Sequence, residues 1–389
     1  MKILQIAPPV LPLSPNMKYG GIERVVRDLD EAYVKLGHES LVVASANSEI
    51  YGKLIPSIST NTWEREGNKA RYTTNNDKAK ENFERHCQRC LEIILSENPD
   101  AIHDHTKLIT SDVYRESGLS VPILTTLHGD LDYRNIEAIK RIEEIRRPHI
   151  NFFNAISNSQ KRVFSAALTM DYTVLNAINT ESYPYKENKR NFLINIGKMD
   201  RNKGQDVALK VAKNLKENLI LAGPVHDFRT HIREYWEQEV EPFLDKAYED
   251  IPLNQIDSFI DDLDNQQGKI IYIGEIDDSQ KKKWLSNSKG FLMPIRWNEP
   301  FGLVMIEAMA TGTPVVAYDM GAVQEIVIPM ETGYIVEPNQ TSDFIEATRK
   351  IEEIEPFNCR KRVENHFDIM RQAKDYLKIF EEIKNKRVY

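Results

Sequence analysis

The chain has 389 residues, 41% of them hydrophobic and 28% charged; at roughly 100–200 residues per domain this is apolar material for two cored domains. Lys plus Arg number 51 against 59 Asp plus Glu, a net charge of −8, which argues against a nucleic-acid binder, because those carry a net basic face. No stretch reaches the ~18 apolar residues of a membrane span, and Met1 to Pro9 is too short and too Pro-rich for a secretory leader, so the sequence reads as cytoplasmic.

Lys2–Ala7 reads as a first strand. A long loop then leads to Lys18-Tyr19-Gly20-Gly21-Ile22-Glu23. Beyond it Ile22, Val25, Val26, Leu29, Ala32, Tyr33 and Leu36 recur at helical spacing until Gly37 stops the helix. Strand, glycine turn and helix together can hold an anion, because the first helical N–H groups are unpaired and the helix dipole is positive there. A structural turn is the plain alternative. A dinucleotide fingerprint needs Gly-x-Gly-x-x-Gly directly after the strand, and only Gly20 and Gly21 are present, which speaks against a nicotinamide dehydrogenase.

Further strands are expected at Ser40–Ala44, Ala101–His103, Ile123–Leu127, Phe152–Ile156 and Thr173–Leu175, then at Phe192–Gly197, Leu219–Ala222, Ile270–Ile273, Gly290–Pro294 and Pro314–Tyr318. Helical patterns separate most of them, which predicts parallel sheets covered on both faces. The polar segment from Asn179 to Arg190, with Pro184, divides the two series and sets domains of 1–183 and 184–366. The last helix, about 367–389, has no strand after it and is open to packing on either domain.

Cys87, Cys90 and Cys359 form no disulfide framework. Cys87 and Cys90 lie in a polar helical stretch and read as two helix thiols. His103-Asp104-His105 ends a strand and reads as structural or cleft-lining, not as a metal cluster. Lys281-Lys282-Lys283 reads as a solvated helix start. The helix near Tyr133–Arg147 has only a small basic excess and reads as an exposed helix. The stretch Asp245–Gly268, with Asp261-Asp262-Leu263-Asp264, reads as an acidic, irregular, solvated insertion.

Met293 to Pro314 carries the most information. It reads strand, loop, helix, glycine stop, strand, with the helix starting near Phe301 or Gly302 after Pro300. Glu299 falls in the entry loop and Glu307 one to two turns into an apolar helix. A carboxylate there is costly to bury without hydrogen-bond partners, and ligand hydroxyls such as those of a ribose would serve. The N–H groups of Phe301, Gly302, Leu303 and Val304 could meet a phosphate or sugar oxygen. Alternatively Glu299 caps the helix and Glu307 faces solvent. The chemistry leaves both readings open.

Glu299-Pro300-Phe301-Gly302, Glu307-Ala308-Met309-Ala310 and Gly312-Thr313-Pro314-Val315-Val316-Ala317 together resemble the Glu-seven-residues-Glu signature of the retaining glycosyltransferases of family GT4 (glycosyl transferases group 1). Gln324-Glu325-Ile326-Val327 and Thr332-Gly333 resemble the elements that follow it. The resemblance implies the GT-B fold: α/β, two Rossmann-like α/β/α domains with parallel sheets facing a central cleft. It makes Gly20 and Gly21 a diphosphate loop and places His128, in Thr126-Leu127-His128-Gly129, near the acceptor and reacting phosphate. Leu175-Asn176-Ala177-Ile178-Asn179 resembles the junction motif, with Ala177 in place of glycine. Gly197-Lys198-Met199-Asp200-Arg201-Asn202-Lys203-Gly204 resembles the basic diphosphate loop, with Lys198 where arginine is usual; the charge is kept and the bidentate fork lost.

On that resemblance the chain transfers a hexose-type sugar from a nucleoside-diphosphate sugar, UDP being the commonest base, to a hydroxyl acceptor (a glycan, lipid-linked sugar or small molecule) with retention of configuration, in glycan or glycolipid biosynthesis. His128, Glu299 and Lys203 carry the chemistry. Gly20, Gly21, Lys198, Lys203, Gly223, Glu299, Phe301, Gly302, Leu303, Val304 and Glu307 hold the donor, with its base near Gly223-Pro224 and Tyr272–Ile276 and its ribose on Glu307. No metal or other cofactor is expected, and peripheral contact with the inner face of a membrane is compatible. A nucleotide-sugar epimerase and a non-catalytic nucleotide-sugar-binding protein of the same fold are the competing classes.

Overall fold

A computed structural model describes residues 1–18, 20–59, 63–66, 69–72, 76–131, 135–226 and 229–385. It divides into two units, Met1–Ala177 with the returning C-terminal segment from Ile369, and Ile178–Asp368. The polar stretch expected to separate the domains therefore belongs to the second unit from its first residue.

Among the described residues the first unit holds nine strands: β1 Lys2–Ile6, β2 Glu39–Ser45, β3 Lys53–Ile58, β4 Trp63–Glu66, β5 Lys69–Tyr72, β6 Ala101–Asp104, β7 Ile123–Leu127, β8 Asn151–Ala155 and β9 Tyr172–Thr173. Seven form one sheet in the order β3-β2-β1-β6-β7-β8-β9, every pair parallel, while β4 and β5 form a separate antiparallel hairpin. Strands β6, β7 and β8 are buried along their whole length, as expected of parallel strands covered on both faces, although each carries polar residues such as His103, Asp104, Thr125, Thr126, Asn151 and Asn154. Leu4, Ile6, Leu41, Ile102, Ile123 and Phe153 meet Cys87, Cys90 and Ile94 of the helix Asn76–Glu97 on one face. Both helix thiols are free and buried, and burial raises them, Cys87 to about 12. The helix Gly21–Lys35 and the C-terminal helix Ile369–Asn385 also belong to this unit, with Tyr33 beside Phe380 at 6.3 Å between ring centroids.

The second unit holds β10 Arg190–Ile196, β11 Leu219–Ala222, β12 Lys246–Ala247, β13 Ile270–Tyr272, β14 Ser288–Met293, β15 Val315–Tyr318 and β16 Gly333–Val336. All are parallel, in the order β12-β13-β11-β10-β14-β15-β16. Leu193, Leu219, Leu221, Leu292 and Val316 pack with Val207, Val211 and Phe344 from covering helices. Among the described residues no helix is long and apolar enough to cross a membrane.

Two expectations are corrected here. The stretch 245–268 is not irregular. It adds the edge strand β12 and then forms the helix Ile256–Asp264, whose Ile256, Ile260 and Leu263 are buried at helical spacing. Asp261 and Asp264 both pair with Arg190. The three lysines are not a solvated helix start either. They lie inside the helix Asp278–Asn287, and the Lys281 side chain is only 9% exposed.

Candidate active site

In open parallel sheets ligands bind outside the carboxyl ends of the strands, where the strand order reverses. In the second unit that point lies between β10 and β14, since the chain runs outward from β10 to β11 and later returns to β10's other side with β14. The two loops leaving these strands are the two basic and acidic motifs of the sequence, 197–204 and 294–302.

The loops are stitched together. Arg296 donates its backbone N–H to the Asn202 carbonyl at 2.8 Å. Its guanidinium reaches the Arg201 carbonyl at 3.0 Å and both oxygens of Asp206 at 2.7 and 2.8 Å. That bidentate pair raises Arg296 above its ordinary range. Gly204 follows the short helical turn Arg201–Lys203 with φ +73°, and a Cβ there would stand 2.1 Å from the Pro294 carbonyl oxygen, so only glycine lets the loops approach this closely. Neither Arg296 nor Asp206 was singled out in the sequence; 90 residues separate them and no local pattern links them.

This packing sets Lys203 Nζ 2.9 Å from Glu299 Oε2, with the two side chains 24% and 14% exposed. Lys203 Nζ also lies 5.0 Å from the Trp297 ring centre, and Lys198 Nζ lies 3.0 Å from Asp200. A cation and a carboxylate are thus held side by side and still partly open to solvent. Glu299 does not cap the following helix. Leu303–Ala310 starts from Gly302, which is left-handed and has no side chain to cap the first N–H groups, and the Glu299 carboxylate is turned to Lys203 instead. Phe301 is buried against Phe367 and positions the helix start. Gly223 uses its N–H on the Gly274 carbonyl and its own carbonyl on the Tyr272 hydroxyl, each at 2.8 Å.

Glu307 departs from both sequence readings. It neither faces solvent nor lies open to a ribose. Its side chain is 2% exposed, and its carboxylate accepts from Lys281 Nζ and from the Tyr183 hydroxyl at 3.1 Å. A ribose contact would require this buried pair to open. In this geometry Glu307 is an internal counter-ion, and Lys281 and Tyr183 are its partners.

In the first unit the strand order reverses between β1 and β6. The β1 loop ends at Gly20, the residue before the helix Gly21–Lys35, with no side-chain cap. The helix supplies its own acid in the first turn: Glu23 is buried, and burial raises its carboxyl to about 7. Tyr19 lies outside the described residues. Just beyond β6 and β7, His105 Nδ1 and His128 Nε2 are 2.8 Å apart; within those strands His103 Nε2 and Thr126 Oγ1 are 2.8 Å apart, and Thr126 is in turn 3.3 Å from the Tyr376 hydroxyl of the C-terminal helix. Asp104 is spent on Thr106, Leu108 and Thr125, and among the described residues no group of His, Cys, Asp and Glu could hold a metal ion.

Burial lowers all three histidines, His128 to about 4. A native histidine lowered below its unfolded value binds fewer protons than the unfolded one, so its contribution is complete above pH 6.5 and is lost as pH falls toward 4. Each such histidine removes about 1.4 kcal/mol per pH unit in that window. Urea denaturation between pH 7 and 4.5 should show this slope, and His128→Asn should reduce it by up to about 1.4 kcal/mol per pH unit. A slope unchanged by that substitution would contradict the assignment.

The class that these two seven-stranded parallel sheets define is the GT-B glycosyltransferase fold. The structure superposes on a sucrose-phosphate synthase of Thermosynechococcus elongatus with a TM-score of 0.70, at 18% identity over 98% of both chains. It superposes on Anabaena HepE in complex with UDP-glucose with a TM-score of 0.69, at 14% identity over 98% of this chain and 100% of that one. The chain belongs to the family 4, group 1 glycosyltransferases: residues 179–366 match the model of glycosyl transferases group 1, and residues 19–181 that of glycosyltransferase family 4. An uncharacterised glycosyltransferase of Methanocaldococcus jannaschii is 25% identical over 65% of this chain and 66% of its own length. The lipopolysaccharide core mannosyltransferase LpsB of Rhizobium meliloti is 32% identical over 30% of this chain and 34% of its own. The chain thus spans just under two thirds of the first of these relatives and about one third of the second.

Proposed function

We propose that the protein is a metal-independent, retaining glycosyltransferase that moves a hexose-type sugar from a nucleoside-diphosphate sugar to a hydroxyl acceptor. The observation that carries this reading is the Lys203–Glu299 pair, held across the two loops of the second unit's reversal point. The C1–oxygen bond to the diphosphate breaks and a bond from C1 to the acceptor oxygen forms. Lys203 and Lys198, with the N–H groups of Leu303 and Val304, meet the charge that develops on the departing diphosphate. The acceptor proton leaves with a phosphate oxygen. Glu299 orients Lys203 and takes sugar hydroxyls, and the nucleoside lies toward the loops after β11 and β13. For the first unit the reading assigns Gly20 and Gly21 to the diphosphate and His128 to the acceptor.

A panel of UDP-, GDP- and ADP-sugars without added metal tests this. A donor at ~100 times its dissociation constant stabilises the fold by about 2.7 kcal/mol, a clear shift in the melting midpoint. Binding followed by transfer to a sugar hydroxyl supports the reading. Binding without any turnover points instead to a nucleotide-sugar-binding protein, and no shift with any of the three rejects the donor site.

A further inference from the structure

The stretch 245–268 contributes the edge strand β12, whose carboxyl end lies on the same side of the sheet as the Lys198 loop. The strand ends of the second unit's sheet form a rim whose members follow the sheet order. Lys198 follows β10, Gly223 follows β11, Gly274 follows β13, and Tyr248-Glu249-Asp250 follows β12. Adjacent strands lie about 4.8 Å apart, so the β13 end is about 10 Å and the β12 end about 15 Å from β10. These ends are joined by direct backbone contact. Gly223 N–H donates to the Gly274 carbonyl at 2.8 Å, and Tyr248 N–H donates to the Tyr272 carbonyl at 2.8 Å. Gly274 has φ +72°, and a Cβ there would stand 2.1 Å from the Glu249 carbonyl oxygen. The turn 248–250 is thus locked onto the β13 loop through a position that only glycine fits.

The turn is also pinned from behind. Gln280 donates to the Asp250 carboxylate at 2.8 Å and to the Ile251 carbonyl at 2.9 Å. Tyr248 meets Phe259 edge-on at 5.5 Å, and Phe259 meets Trp284 at 5.8 Å. A strand that only covered a sheet edge would need none of this anchoring beyond its carboxyl end. The loop it is fastened to, 273–276, is one of the two to which the proposed function assigns the nucleoside.

We infer that the 245–268 insertion is the base-selecting wall of the donor site: its turn Tyr248–Asp250, locked by Gly274 and Gln280, bounds the nucleoside end and sets which base is accepted. This rests on the nucleotide-sugar reading above. The phosphates, held two and three strands away, do not touch it.

Titration calorimetry with UDP, GDP, ADP and inorganic pyrophosphate on the whole chain separates the possibilities. Gly274→Ala must displace the turn, so affinity for the preferred nucleoside diphosphate should fall at least about tenfold, or preference among the three narrow by as much, while pyrophosphate stays within about twofold. Gln280→Ala releases Asp250 and Ile251 without strain at Gly274 and should move the nucleotides in the same sense; it decides the matter if Gly274→Ala does not fold. Nucleotide affinities unchanged in Gln280→Ala, or nucleotides and pyrophosphate shifting together, would overturn the inference and leave the insertion as edge cover. A wild-type chain that binds none of the three nucleotides would instead reject the donor reading itself.

Discussion

The Glu299→Ala variant should fold normally and lose about 10²–10³-fold in kcat, the loss seen when one preorganised group facing a developing charge is removed. Glu299 holds Lys203 Nζ at 2.9 Å and fixes where that cation points. Without it the ammonium is free to swing toward Asp200 or solvent, and the departing diphosphate loses a counter-charge already in place. The fold has little at stake. The pair is half-buried rather than exposed, so its loss costs somewhat more than the ~1 kcal/mol upper value for an exposed pair, a loss the fold can bear. Loop geometry rests instead on Arg296, Asp206 and Gly204. Lys203→Ala should give a similar defect, and the double variant should be little worse than either single one, because groups that act as a unit are not additive. Steady-state kinetics of the three variants, with melting curves as the folding control, test this. Normal turnover by Glu299→Ala would remove Glu299 from the machinery.

The sequence pattern reveals those parts of the fold whose residues are buried on both faces. Strands β11 and β15 announce themselves as apolar runs, because parallel strands inside a sheet meet helices on each side. Edge strands give no such signal. β3 carries Pro56 and alternates little, and β12 is two exposed residues. The helix Ile256–Asp264 was legible in the spacing of Ile256, Ile260 and Leu263, but the surrounding acids drew attention to charge instead of period. The site divides in the same way. Glu299 and Lys203 lie in motifs with a recognisable local pattern. Arg296 and Asp206 do not, since their partnership exists only after β10 and β14 become neighbours. The three lysines show how a charge run misleads. Lys282 and Lys283 are 20% and 27% exposed, whereas Lys281 shares a helical face with Asp278 and the buried Leu285 and so turns inward. The signal that could have found it was Glu307 itself, a lone acid on an apolar helix that needs a cation from elsewhere.

Glu307→Ala should therefore be a stability variant, costing about 3 kcal/mol. Removing one member of a buried pair leaves the other charge without its counter-ion, typically 3–5 kcal/mol; Asp278, 3.3 Å from Lys281, offsets part of that. The Tyr183 hydroxyl loses its acceptor as well. For a unit of this size the loss corresponds to a fall in melting midpoint of roughly 6–12 °C. Lys281→Met should be destabilising for the mirror reason, because it strands the carboxylate. The double variant Lys281→Met with Glu307→Leu should recover most of the loss, since replacing both members of a buried pair by apolar side chains of similar volume is often neutral. Scanning calorimetry of these variants, with the single Glu307→Leu to close the cycle, reads the coupling directly. The same proteins answer whether Glu307 serves the donor. A ribose ligand would show as a fall in nucleotide affinity with an unchanged midpoint, and it would remain lost in the double variant. A counter-ion shows the reverse: a lowered midpoint in each single variant, and nucleotide binding restored together with stability in the double. Loss of donor affinity without loss of stability would return Glu307 to the binding surface and mean that the Lys281 pair opens when donor arrives.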